Sequence, residues 1–239
     1  FLININKELN MIASITLLAE NDFVGMTFWL ATAIMLASTV FFFIERSDVN
    51  DKWRTSMTVA GLVTGVAFWH YLYMREAHLM GEVTTVFRYI DWLITVPLQI
   101  VEFYLILSAV TMVSIMLFWR LLGASLVMLV FGFLGEAGLI DATIGFVIGM
   151  AGWGYILYEI FSGEASKLSQ ASGNAGGQFA FNTLRIIVTA GWAIYPVGYF
   201  LGYLGSGTDA GTVNIIYNIA DLVNKTAFGL AIWAGAKMD

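Results

Sequence analysis

The chain has no cysteine, two prolines, two histidines and few charges: 11 Lys and Arg with 17 Asp and Glu in 239 residues. Without cysteine there are no disulfides, thiolate metal sites or cysteine nucleophiles. His70 and His78 make a poor metal set. The scarcity of charge excludes more. With 12% charged and 59% hydrophobic residues and a mean hydropathy of +0.79, a water-soluble domain could not hide this much apolar surface. The composition is that of a polytopic membrane protein with membrane lipid around it, and a nucleic-acid partner is not expected.

What is present is a set of long apolar runs. A spanning helix needs about 20 mostly apolar residues, and seven runs qualify: 22–44, 53–74, 86–107, 118–135, 139–161, 179–201 and 212–236. The fold class expected is an all-α membrane protein, a bundle of seven transmembrane helices. With the N-terminus outside, Arg46, Lys52, Arg54, Arg120, Lys167, Arg185 and Lys237 fall on the cytoplasmic side, and only Lys7 and Arg75 fall outside. That asymmetry places the C-terminus in the cytoplasm. The chain divides into a segment 1–21, with MIASITLLA (11–19) as a signal remnant or a short interfacial helix, and one transmembrane domain, 22–239.

Between the runs, SKLSQASGNAGGQ (166–178) reads as a mobile cytoplasmic loop, and ERSDVNDKWR (45–54) as a solvated loop carrying the topology signal. His78 is expected in an outer loop. Pro97 and Pro196 both lie inside spans, where proline is tolerated and usually kinks the helix.

Two cations, Arg88 and Lys225, fall within spans. An ionisable group at the bilayer centre costs at least ~2.5–3.5 kcal/mol on insertion scales, so it faces the bundle interior and has a partner. Asp221 and Lys225 are spaced i, i+4 and share a helix face. A structural ion pair would look the same; a buried lysine can also form a Schiff base with a carbonyl ligand. In the third run, Arg88, Asp91, Thr95, Gln99 and Glu102 fall within a face about 80° wide at 100° per residue. Asp91 and Glu102 are separated by ~16 Å of helix rise. Carboxylates that far apart on one inward face suit a relay better than a metal site, whose ligands must converge. A structural stripe bonded to neighbouring helices is the other reading. His70, alone on the second span, is by itself more often a packing residue than a proton group.

Several stretches taken together carry a resemblance: ASTVFFFIER (37–46), AFWHYLYMR (67–75), FRYIDWLITVPLQIVEFYLIL (87–107), LVMLVFGFLGEAG (126–138), GWAIYPVGYF (191–200) and IYNIADLVNK (216–225). From about Phe23 onward the sequence resembles the proteorhodopsins, within the microbial rhodopsins that bind retinal in a seven-helix bundle. The resemblance implies that Lys225 carries all-trans-retinal covalently as a protonated Schiff base. It further implies that Asp91 is primary proton acceptor and counterion, Asp221 a second counterion, and Glu102 the donor from the cytoplasmic side. Arg88 matches the arginine of the extracellular pathway, His70 the partner of the acceptor, and Trp92, Trp192, Tyr195 and Pro196 the aromatic slot around the polyene. Thr95 completes the proton-pumping pattern with Asp91 and Glu102. The Gln99 position tunes colour in the family, Leu marking green-absorbing and Gln blue-absorbing members.

The function so implied is a blue-absorbing, light-driven proton pump in the bacterial plasma (inner) membrane, assembled as a ring-shaped homo-oligomer. Glu102, among Ile, Val and Phe, is expected to wait protonated. A photosensory rhodopsin acting through a signalling partner is the alternative, and the acid at Glu102 weighs against it. Chloride or sodium pumps alter the acceptor and donor positions, and a retinal-free transporter leaves Lys225 unexplained.

Overall fold

The computed structural model describes residues 18–205 and 208–239. Most of the segment 1–21 therefore lies outside the described residues. The rest is helical, with no strand among the described residues. Five long helices come first: α1 (Phe23–Glu45), α2 (Arg54–Leu79), α3 (Thr85–Val110), α4 (Ile115–Glu136) and α5 (Ala142–Phe161). A short α6 (Glu164–Ala171) follows. The sixth span, Ala175–Leu204, consists of α7 (Ala175–Ile186), a π-turn (Ile187–Gly191), α8 (Ile194–Tyr199) and a second π-turn (Phe200–Leu204). The seventh is α9 (Ala210–Lys237).

Each expected apolar run is a helix within a few residues. Five segments are long and apolar enough to cross a membrane on composition alone; α2 and α9 are not among them. Those two carry interior polar groups instead, including His70 on α2 and Asn218, Asp221, Asn224 and Lys225 on α9. The bundle exposes apolar side chains and buries the charged residues of its spans. Trp29, Trp69, Ile186, Val197 and Val223 are exposed, whereas Arg88, Asp91, Glu102, Asp221 and Lys225 are buried. In water that distribution would be unfavourable; in lipid it is what burial of polar groups requires.

Neighbours in sequence pack side by side from α1 to α5, and α9 closes the bundle against α1, α2 and α7. Asp22, Ser114, Asp141, Asn174 and Asp209 cap α1, α4, α5, α7 and α9 by accepting backbone N–H bonds. Each satisfies a donor that the helix itself cannot. Gly81 and Gly138, at φ 73° and 69°, end α2 and α4 in the left-handed conformation that glycine adopts without a steric penalty. The α4–α5 contact depends on missing side chains: a Cβ on Gly152 would lie 2.8 Å from the Ala124 carbonyl oxygen, and one on Gly145 2.7 Å from that of Phe131.

The sixth span is irregular for a traceable reason. Pro196 has no N–H to offer the Trp192 carbonyl, which accepts from Tyr195 N–H at 3.1 Å instead. The Trp192 N–H reaches back to Ile187 (3.0 Å), leaving the Val188 carbonyl to the Trp153 indole N–H at 3.0 Å. Asn224 of α9 donates to the Gly191 carbonyl, also at 3.0 Å. Side chains of α5 and α9 thus satisfy backbone groups that the helix releases.

Three expectations for the connections are corrected. Residues 166–178 are not a loop throughout: α6 runs through Ala171, and Ser166 and Ser169 are buried. The buried Glu159 carboxylate accepts from the Glu164 N–H at 3.0 Å and so anchors the start of α6; Arg120 reaches both Glu159 and Glu164. Residues 45–54 form two tight 3₁₀ turns around buried Val49 and Trp53, so that segment is only partly solvated. His78 sits in the last turn of α2, its Nε2 at 3.2 Å from both carboxylate oxygens of Asp22.

Asp239 ties three of these connections together. It accepts from the Trp53 indole N–H (2.8 Å) and from Asn174 (2.7 Å), and pairs with Lys52 at 2.6 Å. Burial alone would raise its carboxyl, but the bonds from Lys52, Trp53 and Asn174 outweigh it and lower the group to about 2. A folded-state value below the unfolded one stabilises the fold above the ordinary carboxylate range, and that contribution is lost as pH falls towards 2. Thermal melts in detergent should therefore show wild type losing more stability than Asp239→Asn between about pH 4 and pH 2. Parallel losses would contradict this role.

Candidate functional site

The polar stripe of α3 faces inward as its spacing requires: Arg88, Asp91, Thr95, Gln99 and Glu102 are all buried. Opposite it, α9 brings Asp221 and Lys225. The Lys225 ammonium is 2.7 Å from Asp91 Oδ2 and 3.0 Å from Asp221 Oδ2, with 2% of the lysine side chain and none of either carboxylate exposed. Two buried anions therefore share one cation. Arg88 provides a second positive charge 3.9 Å from Asp221.

The two carboxylates are unequally partnered. Asp221 accepts from Tyr71 OH (2.8 Å), Tyr195 OH (2.8 Å) and Trp92 Nε1 (3.1 Å) as well as from Lys225. Asp91 accepts from Lys225 alone, and its Oδ1 has no hydrogen-bond partner among the described residues. His70 Nδ1 is 3.8 Å from that oxygen and donates instead to the Val66 carbonyl at 2.9 Å. The Thr95 hydroxyl turns to the backbone carbonyl of Asp91, at 2.9 Å, rather than to its carboxylate. Hydrogen bonds to a charged group contribute about 1.5–3 kcal/mol each, so three extra donors hold negative charge at Asp221 by several kcal/mol. Of the two, Asp91 has the fewer hydrogen bonds to lose on protonation.

Away from this cluster, Glu102 is fully buried, and neither carboxyl oxygen has a hydrogen-bond partner among the described residues. An isolated carboxylate there would be costly. Beside Lys225 opens a cavity whose wall includes Trp92, Trp192, Tyr195 and Pro196, the four residues expected of an aromatic slot, together with Gln99, Met128 and Trp153. The side-chain nitrogen of Gln99 has no partner among the described residues.

Several residues of the site escaped the sequence reading. Arg88 is oriented by Asn214 (3.0 Å) and Asn218 (2.9 Å), while Asn224 braces the sixth span. Asn214, Asn218, Asp221 and Lys225 recur at intervals of four, three and four residues, a helical face that could have been read directly. Tyr71 left no comparable signal.

Against this geometry, residues 22–238 match the family model described as bacteriorhodopsin-like protein. The chain belongs to the bacteriorhodopsin-like family. Among bacteriorhodopsin-like relatives, it is 57% identical over 216 residues to the blue-light absorbing proteorhodopsin of Gamma-proteobacterium Hot 75m4, covering 89% of this chain and 86% of the relative. It is also 57% identical over 218 residues to the green-light absorbing proteorhodopsin of Gamma-proteobacterium EBAC31A08, covering 90% and 87%. The crystal structure of a blue light-absorbing proteorhodopsin from Med12 superposes with a TM-score of 0.80 at 62% identity, covering 90% of this chain and 98% of that one. Xanthorhodopsin, described as a light-driven ion pump with dual chromophore, superposes with a TM-score of 0.77 at 28% identity, covering 90% and 92%. The chain is thus a multi-pass membrane protein of seven helices.

The unequal partnering leads to a stability comparison. Tyr71→Phe leaves Asp221 one donor short in a fully buried site and should destabilise the protein by about 1–3 kcal/mol. Thr95→Val removes a hydroxyl that bonds only within its own helix, so it should cost less. Thermal melts of the two variants in detergent check the order, and equal losses would contradict it.

Proposed function

We propose that the protein is a light-driven proton pump that exports protons from the cytoplasm, with all-trans-retinal covalently bound at Lys225. The observation that carries this reading is the placement of Lys225 Nζ between two buried carboxylates of unequal partnering, with a buried acid, Glu102, that has no hydrogen-bond partner among the described residues farther along the same face of α3. Retinal fits the residues present: a primary amine opens onto a largely apolar, aromatic-walled cavity, suited to an aldehyde with a long apolar tail. Bound there, it would supply a light-driven change of shape that moves the positive charge at Lys225 relative to Asp91.

The remaining steps belong to the chain. Lys225 Nζ holds a proton that the anions at Asp91 and Asp221 stabilise, and Asp91, the poorly partnered carboxylate, takes it. Asp221 stays charged because Tyr71, Tyr195 and Trp92 keep donating to it. Arg88, held by Asn214 and Asn218, keeps a positive charge on the exit side, which favours onward loss of the proton. Glu102, whose carboxyl oxygens have no hydrogen-bond partner among the described residues, carries a proton and gives it to Lys225 Nζ once Asp91 is protonated. His70 approaches Asp91 from the α2 side, its Nδ1 3.8 Å from the free carboxylate oxygen. Access to Lys225 must change sides between the two transfers for transport to be directional.

The finer expectations belong to the same proposal. The N-terminus lies outside and the C-terminus in the cytoplasm, so Asp91 and Arg88 face outward and Glu102 inward. The protein resides in the bacterial plasma (inner) membrane, in contact with lipid, as a ring-shaped homo-oligomer. Gln99 makes the pigment blue-absorbing, because an amide near the chromophore stabilises charge held at Lys225 over charge spread along the excited polyene.

Illumination of retinal-loaded cells in unbuffered medium tests this. The medium should acidify in the light, a protonophore should abolish the effect, and its action spectrum should lie in the blue and shift to longer wavelength in Gln99→Leu. A coloured pigment without acidification would overturn the pump in favour of light sensing, and an unshifted spectrum would remove the role of Gln99.

A further inference from the structure

Glu102 lies ~12 Å of helix rise from Val110, the last residue of α3, and the packing towards that end of the bundle is apolar. Phe103, Ile106 and Leu107 of α3 pack with Trp53 from the 3₁₀ turns and with Phe181 and Leu184 of α7, all of them buried. Phe181 meets Phe103 edge-on, with ring centroids 5.2 Å apart. Glu102 has no exposed surface, and α7 supplies one side of the cover between it and solvent.

The start of α7 is held in a different way. There the backbones of α7 and α9 meet through glycines: a Cβ on Gly235 would lie 2.7 Å from the Gly176 carbonyl oxygen and 2.8 Å from the Ala180 Cβ. Two glycines have no side chains to interlock, so this contact resists separation less than interdigitated side chains would. Asp239 lies just past it. Its carboxylate accepts from the Asn174 side chain at 2.7 Å and from the Trp53 indole N–H at 2.8 Å, and it pairs with Lys52 at 2.6 Å. Asn174 in turn caps α7, accepting from the Gly177 N–H at 2.7 Å. One carboxylate therefore ties the start of α7 to the end of α9 and to the turn that carries Trp53. Beyond Ile186 the π-turn interrupts the regular ladder of the sixth span, the kind of position at which helices bend.

We propose that Asp239 is a latch on proton entry: its bond to Asn174 holds α7 over Glu102, and release of that bond admits the water from which Glu102 is reprotonated. In that step a proton from water binds Glu102 Oε, and the residue returns to the acid it was before donating to Lys225 Nζ. This rests on the pump reading of the Lys225 site. A static clasp, which holds the helix ends together without bearing on proton uptake, is the competing account.

Time-resolved infrared spectroscopy of the retinal-loaded protein in liposomes separates the two, because the carbonyl band of Glu102 is lost when it donates and returns when it is reprotonated. In Asp239→Ala the loss should match wild type, and the return should be about 10-fold faster, the lower range for removal of a hydrogen bond to a charged group. A lower melting temperature with an unchanged return is the behaviour of a static clasp and would overturn the proposal. The chain has no cysteine of its own, so Asn174→Cys combined with Asp239→Cys gives one thiol pair that a short, reducible bis-thiosulfonate reagent joins. Joining should slow the return about 10-fold or more relative to wild type, and reduction should relieve it. Recovery of the joined protein at the wild-type rate refutes the latch even if Asp239→Ala fails to fold. A further readout needs no light: backbone amide exchange in α7 should quicken in Asp239→Ala while that in α4 stays at the wild-type rate, and equal quickening in both would contradict the latch. Absence of any change in the Glu102 band of wild type would refute the pump reading and the latch with it.

Discussion

Everything in the interior is arranged around one buried cation, Lys225, and the two carboxylates that share it. A lone ammonium among apolar helices would be unfavourable by several kcal/mol, and either carboxylate alone would be comparably so. Together they are tolerable, and the requirement to bring them together fixes which faces of α3 and α9 turn inward. Because Asp221 has three further donors and Asp91 has none among the described residues, the pair is asymmetric. That asymmetry places two chemically identical groups in different surroundings. Arg88 and its asparagines then reinforce negative charge on the Asp221 side, while Glu102 remains apart, buried and without a hydrogen-bond partner among the described residues.

The irregular sixth span serves the same centre. Pro196 and the π-turn before it release backbone carbonyls, and those carbonyls are taken up by Trp153 of α5 and Asn224 of α9. The same irregular stretch brings Trp192, Tyr195 and Pro196 to the cavity wall beside Lys225. Tyr195 contributes twice, as wall and as a donor to Asp221. On the opposite side, α4 and α5 approach through glycines: a Cβ on Gly145 or Gly149 would press on the α4 backbone carbonyl of Phe131 or Met128, and both glycines line the cavity.

Much of this was legible in the sequence, and for physical reasons. The seven helices follow from apolar run length, which in lipid leaves few other backbone solutions. The α3 stripe follows from helical periodicity, and all five of its residues are buried as the 100° rule requires. The contrast between Asp91 and Asp221 was not legible, because it depends on Tyr71, Trp92 and Tyr195 converging from three different helices. Asn214 and Asn218 could have been found by extending the Asp221–Lys225 spacing backwards. The helix at 164–171 was missed because its serines and the glycines that follow read as a loop, although EASKLSQA itself contains good helix formers. What anchors it, the buried Glu159 carboxylate on Glu164, lies in the preceding span.

The central claim is that Asp91, not Asp221, receives the proton from Lys225, because among the described residues Asp91 accepts from Lys225 alone. Infrared difference spectra recorded after a flash on Asp91→Asn and Asp221→Asn pigments test it most directly. A new protonated-carboxyl band should be missing in Asp91→Asn and present in Asp221→Asn. The reverse pattern, with the band surviving loss of Asp91 and vanishing with Asp221, would contradict the account.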